Sequence, residues 1–206
     1  MSTDLGLLYR NARFRISALV TDEVAETVVA ATPEWTVHDV TAHLAGIVED
    51  VGTGNLEGAT TDPWTAAQVE RGRNKSISQL VEEWSIGASQ LEGFLSSPAG
   101  AAVYRAVVDI HTHEADLCTA LGLTLSWPED FVDWAAPVML EAFHHEVAEK
   151  GLPLVIVVAS PFEIIRSRLG RRTESEVVAY DWSNDPAAYL DTWFVFGRRE
   201  SSLGES

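Results

Sequence analysis

The 206-residue chain sets 14 lysines and arginines against 31 aspartates and glutamates, a formal net charge of −17, with 46% apolar and 22% charged residues. This is the composition of a folded globular protein, long enough to bury a core without disulfide or metal staples. The acidic balance argues against a broad nucleic-acid surface and against docking on anionic membrane, since both need clustered Lys and Arg.

The N-terminal MSTDLGLLYRNARFR has no basic segment followed by an apolar one, so a signal peptide is not expected. Over residues 4–20, Leu5, Leu8, Ala12, Ile16 and Leu19 recur at helical spacing. A shorter helical piece is expected over 23–30, closed by Pro33. Thr36 and Asp39 have capping-box spacing, and the stripe Val37, Val40, Leu44, Ile47, Val51 carries a helix to about Gly52. Residues 52–76 read mostly as loop, with a short helix starting at Asp62-Pro63 and a basic cluster, Arg71, Arg73 and Lys75, beyond it. Long helices are expected over 77–95, 101–120 and 129–150, the last stopped by Gly151. After it, the β-branched run 152–159 reads as a short buried strand and 161–169 as a helix, with Thr173 and Glu176 forming another capping box. Residues 176–182 fit either a strand or a helix, and the tail from Glu200 is expected to fray. The longest apolar stretch, Leu154 to Ala159, is far short of the roughly 20 residues a membrane span requires. The expected architecture is mainly α: a helical bundle over 1–150 and a small C-terminal α(+β) extension over 151–206.

Asp109 and His113 stand four apart on one helix, which stacks both side chains on one face within reach of a single ion. Both lie on the flank of the apolar stripe, and His43 holds a similar place on its own helix. Two imidazoles and a carboxylate on facing helices make a metal site that leaves coordination positions open, as catalytic sites do. Glu114 falls near the middle of the apolar stripe, where it is a further ligand, a general base or the buried partner of an arginine. Asp116, three after His113, either orients that ligand or is a solvated helix charge. His111 reads as a surface or packing residue. Glu141, His144 and His145 form a second constellation, with a charged helix surface as its plainer reading. The single Cys118 excludes an internal disulfide and reads as a small packing residue. No nucleophile elbow, phosphate-binding glycine loop or dinucleotide fingerprint is present.

The segment Trp35-Thr36-Val37-His38-Asp39-Val40-Thr41-Ala42-His43-Leu44-Ala45-Gly46 resembles the GWTVRDVVAHLAG signature of the mycothiol-dependent maleylpyruvate isomerase family. Asp109-Ile110-His111-Thr112-His113-Glu114-Ala115-Asp116-Leu117, followed by Ala120-Leu121-Gly122, resembles that family's second metal motif. The likeness covers residues 5–150 and implies a DinB-like four-helix bundle, with His43, Asp109 and His113 holding a divalent metal. That metal is usually Zn2+, with Ni2+, Fe2+ or Mn2+ as alternatives, and mycothiol is the implied co-substrate. Two features depart from the isomerases: the acidic ligand is Asp109 where they carry Glu, and the region after Gly151 is abbreviated. The expected function is that of a metal-dependent, thiol-using transferase or isomerase acting on a small electrophilic molecule. Glu114 or Asp116 would assist proton transfer, and Arg71, Arg73 or Arg166 would bind carboxylates. The alternative is a non-catalytic metal-binding or ligand-sensing module. Either would be a cytoplasmic monomer or homodimer with no nucleic-acid or membrane partner.

Overall fold

The computed structural model describes residues 3–205 and is mainly helical. The chain divides into two compact units, one running up to Leu125 and the other from Ser126 onward.

In the first unit, α1 (Leu5–Leu19) starts at Asp4, whose carboxylate accepts the Leu7 N–H. The Thr36–Asp39 capping box opens α2 (Val37–Thr53), and Gly54, at φ 74°, closes it in the left-handed conformation. α3 (Asp62–Gly72) carries Pro63 in its first turn, and α4 (Ile77–Leu95) opens on a Ser76–Gln79 capping box. α5 is Arg105–Ala120, preceded by a 3-10 turn over Gly100–Val103. α1 packs on α4 and α5, and α2 packs on the same two, so the four helices close a ring; α3 lies against α2. Val40, Leu44, Leu80, Trp84, Val107 and Ile110 are buried on the inward faces. Trp84 donates its indole N–H to Tyr9 Oη at 3.2 Å, which satisfies the one polar atom that this large side chain takes inside. Among the described residues three ion pairs tie α1 to its neighbours: Arg10 and Arg13 to Glu92, each at 2.8 Å, and Arg15 to both oxygens of Glu114 at 2.5 and 2.8 Å.

One expectation changes here. Residues 23–30 form turns, not a helix, because their backbone pairs with the start of α2: Val29 N–H donates to Trp35 O, Val37 N–H donates to Thr27 O, and Val28 bridges Thr36. Within the segment 52–76, the short helix expected from Asp62-Pro63 is the 11-residue α3.

The second unit begins with α6 (Glu129–Glu149), which the sequence reading assigned to the bundle with a boundary at 150. The boundary lies at 125 because Phe143 and Val147 of α6 join the cluster of Val155, Val157, Val177, Tyr189, Leu190, Trp193 and Phe194. Of the expected strand 152–159, β1 (Val157–Val158) alone pairs, antiparallel to β2 (Asp181–Trp182). Short helices α7 (Pro161–Arg168), α8 (Glu174–Val178) and α9 (Leu190–Trp193) complete the unit. Residues 176–182 are thus the end of α8 followed by β2. The tail does not fray at Glu205: its two carboxylate oxygens accept from Arg166 at 2.6 and 2.9 Å and from Arg172 at 2.9 Å.

Burial disfavours the charged form of Glu205, but the hydrogen bonds and charges of Arg166 and Arg172 outweigh it and hold the carboxyl below its ordinary value of 4.5. A depressed carboxyl stabilises the fold above its unfolded pKa and loses that contribution as pH falls through the folded one. Glu205→Gln is therefore expected to cost about 3 kcal/mol at neutral pH by leaving two buried guanidiniums under-paired. Its deficit should shrink below pH 4.5. Denaturant melts of both chains at the two pH values check this.

Candidate metal centre

The α2 capping box sets the phase of the helix that carries His43, and α5 presents Asp109 and His113 on successive turns. Among the described residues these three converge, with one ligand atom from each lying within 4.8 Å of the others. His43 Nε2 is 3.4 Å from Asp109 Oδ2, and His113 Nε2 is 3.6 Å from Asp109 Oδ1. The two imidazoles meet edge to face with centroids 5.3 Å apart. Trp35, half-buried just before α2, lies across both, 5.3 Å from the His43 ring and stacked 6.0 Å from that of His113. The histidine side chains are 6% exposed and that of Asp109 is 34% exposed, so the cluster reaches solvent on the aspartate side.

The donor set fits a divalent ion. Zinc bonds of about 2.0–2.1 Å at tetrahedral angles place neighbouring ligand atoms about 3.3 Å apart. The His43–Asp109 separation of 3.4 Å is close to that value. Three protein donors also leave a coordination position for a small molecule.

Behind each imidazole stands a further partner. His113 Nδ1 lies 3.4 Å from Asp116 Oδ2, and the Asp116 side chain is wholly buried. His43 Nδ1 is 2.7 Å from Gln68 Oε1; Gln68 Nε2 donates to Asp50 Oδ2 at 2.7 Å, and Arg71 Nη2 donates to Asp50 Oδ1 at 2.7 Å. Asn55 Nδ2 also donates to Asp50 Oδ1, at 2.8 Å. Gln68 reaches His43 because α3 runs unusually close to α2. A Cβ on Gly46 would stand 2.6 Å from Gln68 Cβ, and one on Gly72 would stand 2.4 Å from Ala42 Cβ. Gln68, Asp50 and Trp35 were not read as site residues. Asp50 carried a signal, seven residues after His43 and so two turns along the same face; Gln68 carried none, since its helix shows little amphipathic pattern.

The remaining candidates lie elsewhere. Glu114, a candidate proton-transfer group, is gripped by Arg15 and is the buried arginine partner that its place in the apolar stripe allowed. Asp116 stands behind His113 instead of facing a substrate. Arg71, expected as an anion clamp, is engaged by Asp50 and lies 3.5 Å from Glu49. Arg166 is fully buried on Glu205 in the second unit, again no open clamp. Arg73 pairs with Glu70 and Lys75 with Glu83. His111 is fully buried, its ring Nδ1 against Val107 O at 2.8 Å, and burial pushes its pKa down to about 3, so it packs as a neutral ring. Burial likewise pushes the Cys118 thiol up. Glu141, His144 and His145 do not converge: His144 Nε2 meets Val155 O at 3.0 Å, and exposed His145 pairs with Glu149.

No family model, curated protein or solved structure matches the chain.

Two substitutions test this arrangement. Glu114→Gln is expected to cost about 1–3 kcal/mol in denaturant melts, because Arg15, one-third exposed, loses its counter-charge, while the His43 and His113 ring environments seen by NMR stay unchanged. Gly46→Ala is expected to cost about 1–3 kcal/mol by overpacking against Gln68, and to broaden the environment of the His43 ring seen by NMR.

Proposed function

We propose that the first unit is a DinB-like divalent-metal module, and that the protein is a metal-dependent enzyme that uses a low-molecular-weight thiol. By the resemblance of its two motifs the thiol is mycothiol, and the reaction is transfer to, or isomerisation of, a small electrophilic molecule. The observation that carries this reading is the convergence of His43, Asp109 and His113 within 4.8 Å, from two helices, with Asp109 partly exposed. Zn2+ suits two imidazoles and a carboxylate best, and Ni2+, Fe2+ and Mn2+ accept the same donors. When bound, such an ion supplies Lewis acidity, lowering the pKa of a coordinated thiol or water.

The chain's own residues hold and shape that position. His43 and His113 turn their Nε2 atoms to it, and Asp109 offers one oxygen to each side. Trp35 covers the two rings and keeps water from them, leaving approach along the half-exposed Asp109. Glu114 is committed to Arg15, so a proton moved during turnover is carried by the substrate, the thiol or Asp109. Among the described residues no helix is long and apolar enough to cross a membrane. One observation favours the second reading, a non-catalytic metal module: the arginines expected to clamp an anionic substrate are paired internally.

The test begins with the metal content of the purified protein, expected at one divalent ion per chain. His43→Ala and His113→Ala should each lose that ion, and full retention in both would falsify the ligand set. Cobalt-substituted protein titrated with mycothiol should develop a sulfur-to-cobalt charge-transfer band. Bound cobalt with no band at saturating thiol decides for the non-catalytic module.

A further inference from the structure

A neutral imidazole carries its proton on one nitrogen and presents a lone pair on the other, so a histidine can hold a cation through Nε2 only if Nδ1 carries the proton. At His43 the choice is dictated from a distance. Asp50 is acceptor-only as a carboxylate, and three donors surround it: Arg71 and Asn55 on Oδ1, Gln68 on Oδ2. Gln68 must therefore turn its NH2 to Asp50, at 2.7 Å, and its carbonyl oxygen to His43 Nδ1, also at 2.7 Å. A carbonyl oxygen only accepts, so Nδ1 must carry the proton, and in the neutral ring this leaves the lone pair on Nε2, 3.4 Å from Asp109 Oδ2. Gln68 and Asp50 are each 1% exposed, so water does not compete for these bonds.

We infer that Asp50 and Gln68 are positioning residues that lock His43 in its Nδ1–H tautomer, with Arg71 and Asn55 anchoring the relay. The amide carries the direction of the carboxylate's demand to the ring without bringing the carboxylate's charge to it. His113 differs, since Asp116 Oδ2 stands directly beside its Nδ1 at 3.4 Å. The relay also explains why a buried carboxylate and amide occupy the α2–α3 contact where apolar side chains would pack more simply. The consequence for cation affinity rests on the metal reading above; the tautomer itself does not.

The deciding variant is Asp50→Asn. Its Oδ1 can keep Arg71 and Asn55, but an NH2 then occupies the place of Oδ2 and donates. Gln68 must answer by turning its carbonyl to residue 50 and its NH2 to His43. Nδ1 becomes the acceptor, and the proton moves to Nε2, facing the site. Ring 15N NMR of the metal-free protein, at a pH where the imidazole is neutral, should show the Nδ1–H form of His43 in the parent and the Nε2–H form in Asp50→Asn. Zn2+ titration should show affinity lowered about 10–100-fold, the usual cost of losing such a partner. Gln68→Met, similar in size and unable to direct the ring, should give a mixture of tautomers and an intermediate loss, and serves if Asp50→Asn does not fold. Retention of the Nδ1–H form in the variant that folds overturns the relay. A reversal of tautomer in a protein whose parent binds no Zn2+ upholds the relay and defeats the metal reading instead.

Discussion

The distance between α2 and α3 is the constraint on which the candidate centre depends. Helices bearing ordinary side chains lie about 8–10 Å apart, and at that separation Gln68 would meet the flank of α2 and stop short of His43. Gly46 and Gly72 remove the two β-carbons that would hold the helices off, one opposite Gln68 and the other opposite Ala42. The glycines therefore do more than permit packing. They bring a polar side chain from a short, weakly patterned helix to the back of a histidine ring, and through it orient the ring's front toward Asp109.

A second pattern runs through both units: several buried carboxylates are set against arginines. Glu92 accepts from Arg10 and Arg13, Glu114 from Arg15, Asp50 from Arg71, and Glu205 from Arg166 and Arg172. A buried pair contributes little net stability, but removal of one member strands the other and costs several kcal/mol. Such pairs act as locks on geometry. Arg15–Glu114 fixes α1 against α5 beside Asp109 and His113 of the candidate centre, and the Glu205 contacts hold the last described residues against α7.

What was legible in the chain was what is local. The Thr36–Asp39 and Thr173–Glu176 boxes announce their helices because both partners lie within one turn. The apolar stripes locate α1, α2, α4 and α5, and the spacing of Asp109 and His113 places both on one flank. What could not be read was decided by partners distant in sequence. Residues 23–30 lose their helix to pairing with residues 35–37. Gly151 marks where α6 stops but not what it packs against, so the division of the chain was set 25 residues too late. Arg71 and Arg166 looked like anion clamps because a sequence lists charges without their counter-charges, and Asp50 and Glu205 supply those only in three dimensions.

The commitment of so many arginines to internal partners has a kinetic side. With positive charge held close against carboxylates, the field beyond the surface is that of the unmatched acids in a chain of net charge −17. Cations drifting past are drawn in and anions are slowed, with encounter rates that shift by one or more powers of ten and fade as added salt shortens the screening length to about 10 Å at 0.1 M. The half-exposed Asp109 lies at the point where that field reaches the histidines. A cation thus arrives faster in dilute buffer than at physiological ionic strength, while a negatively charged molecule bound for the same place meets the opposite dependence on salt.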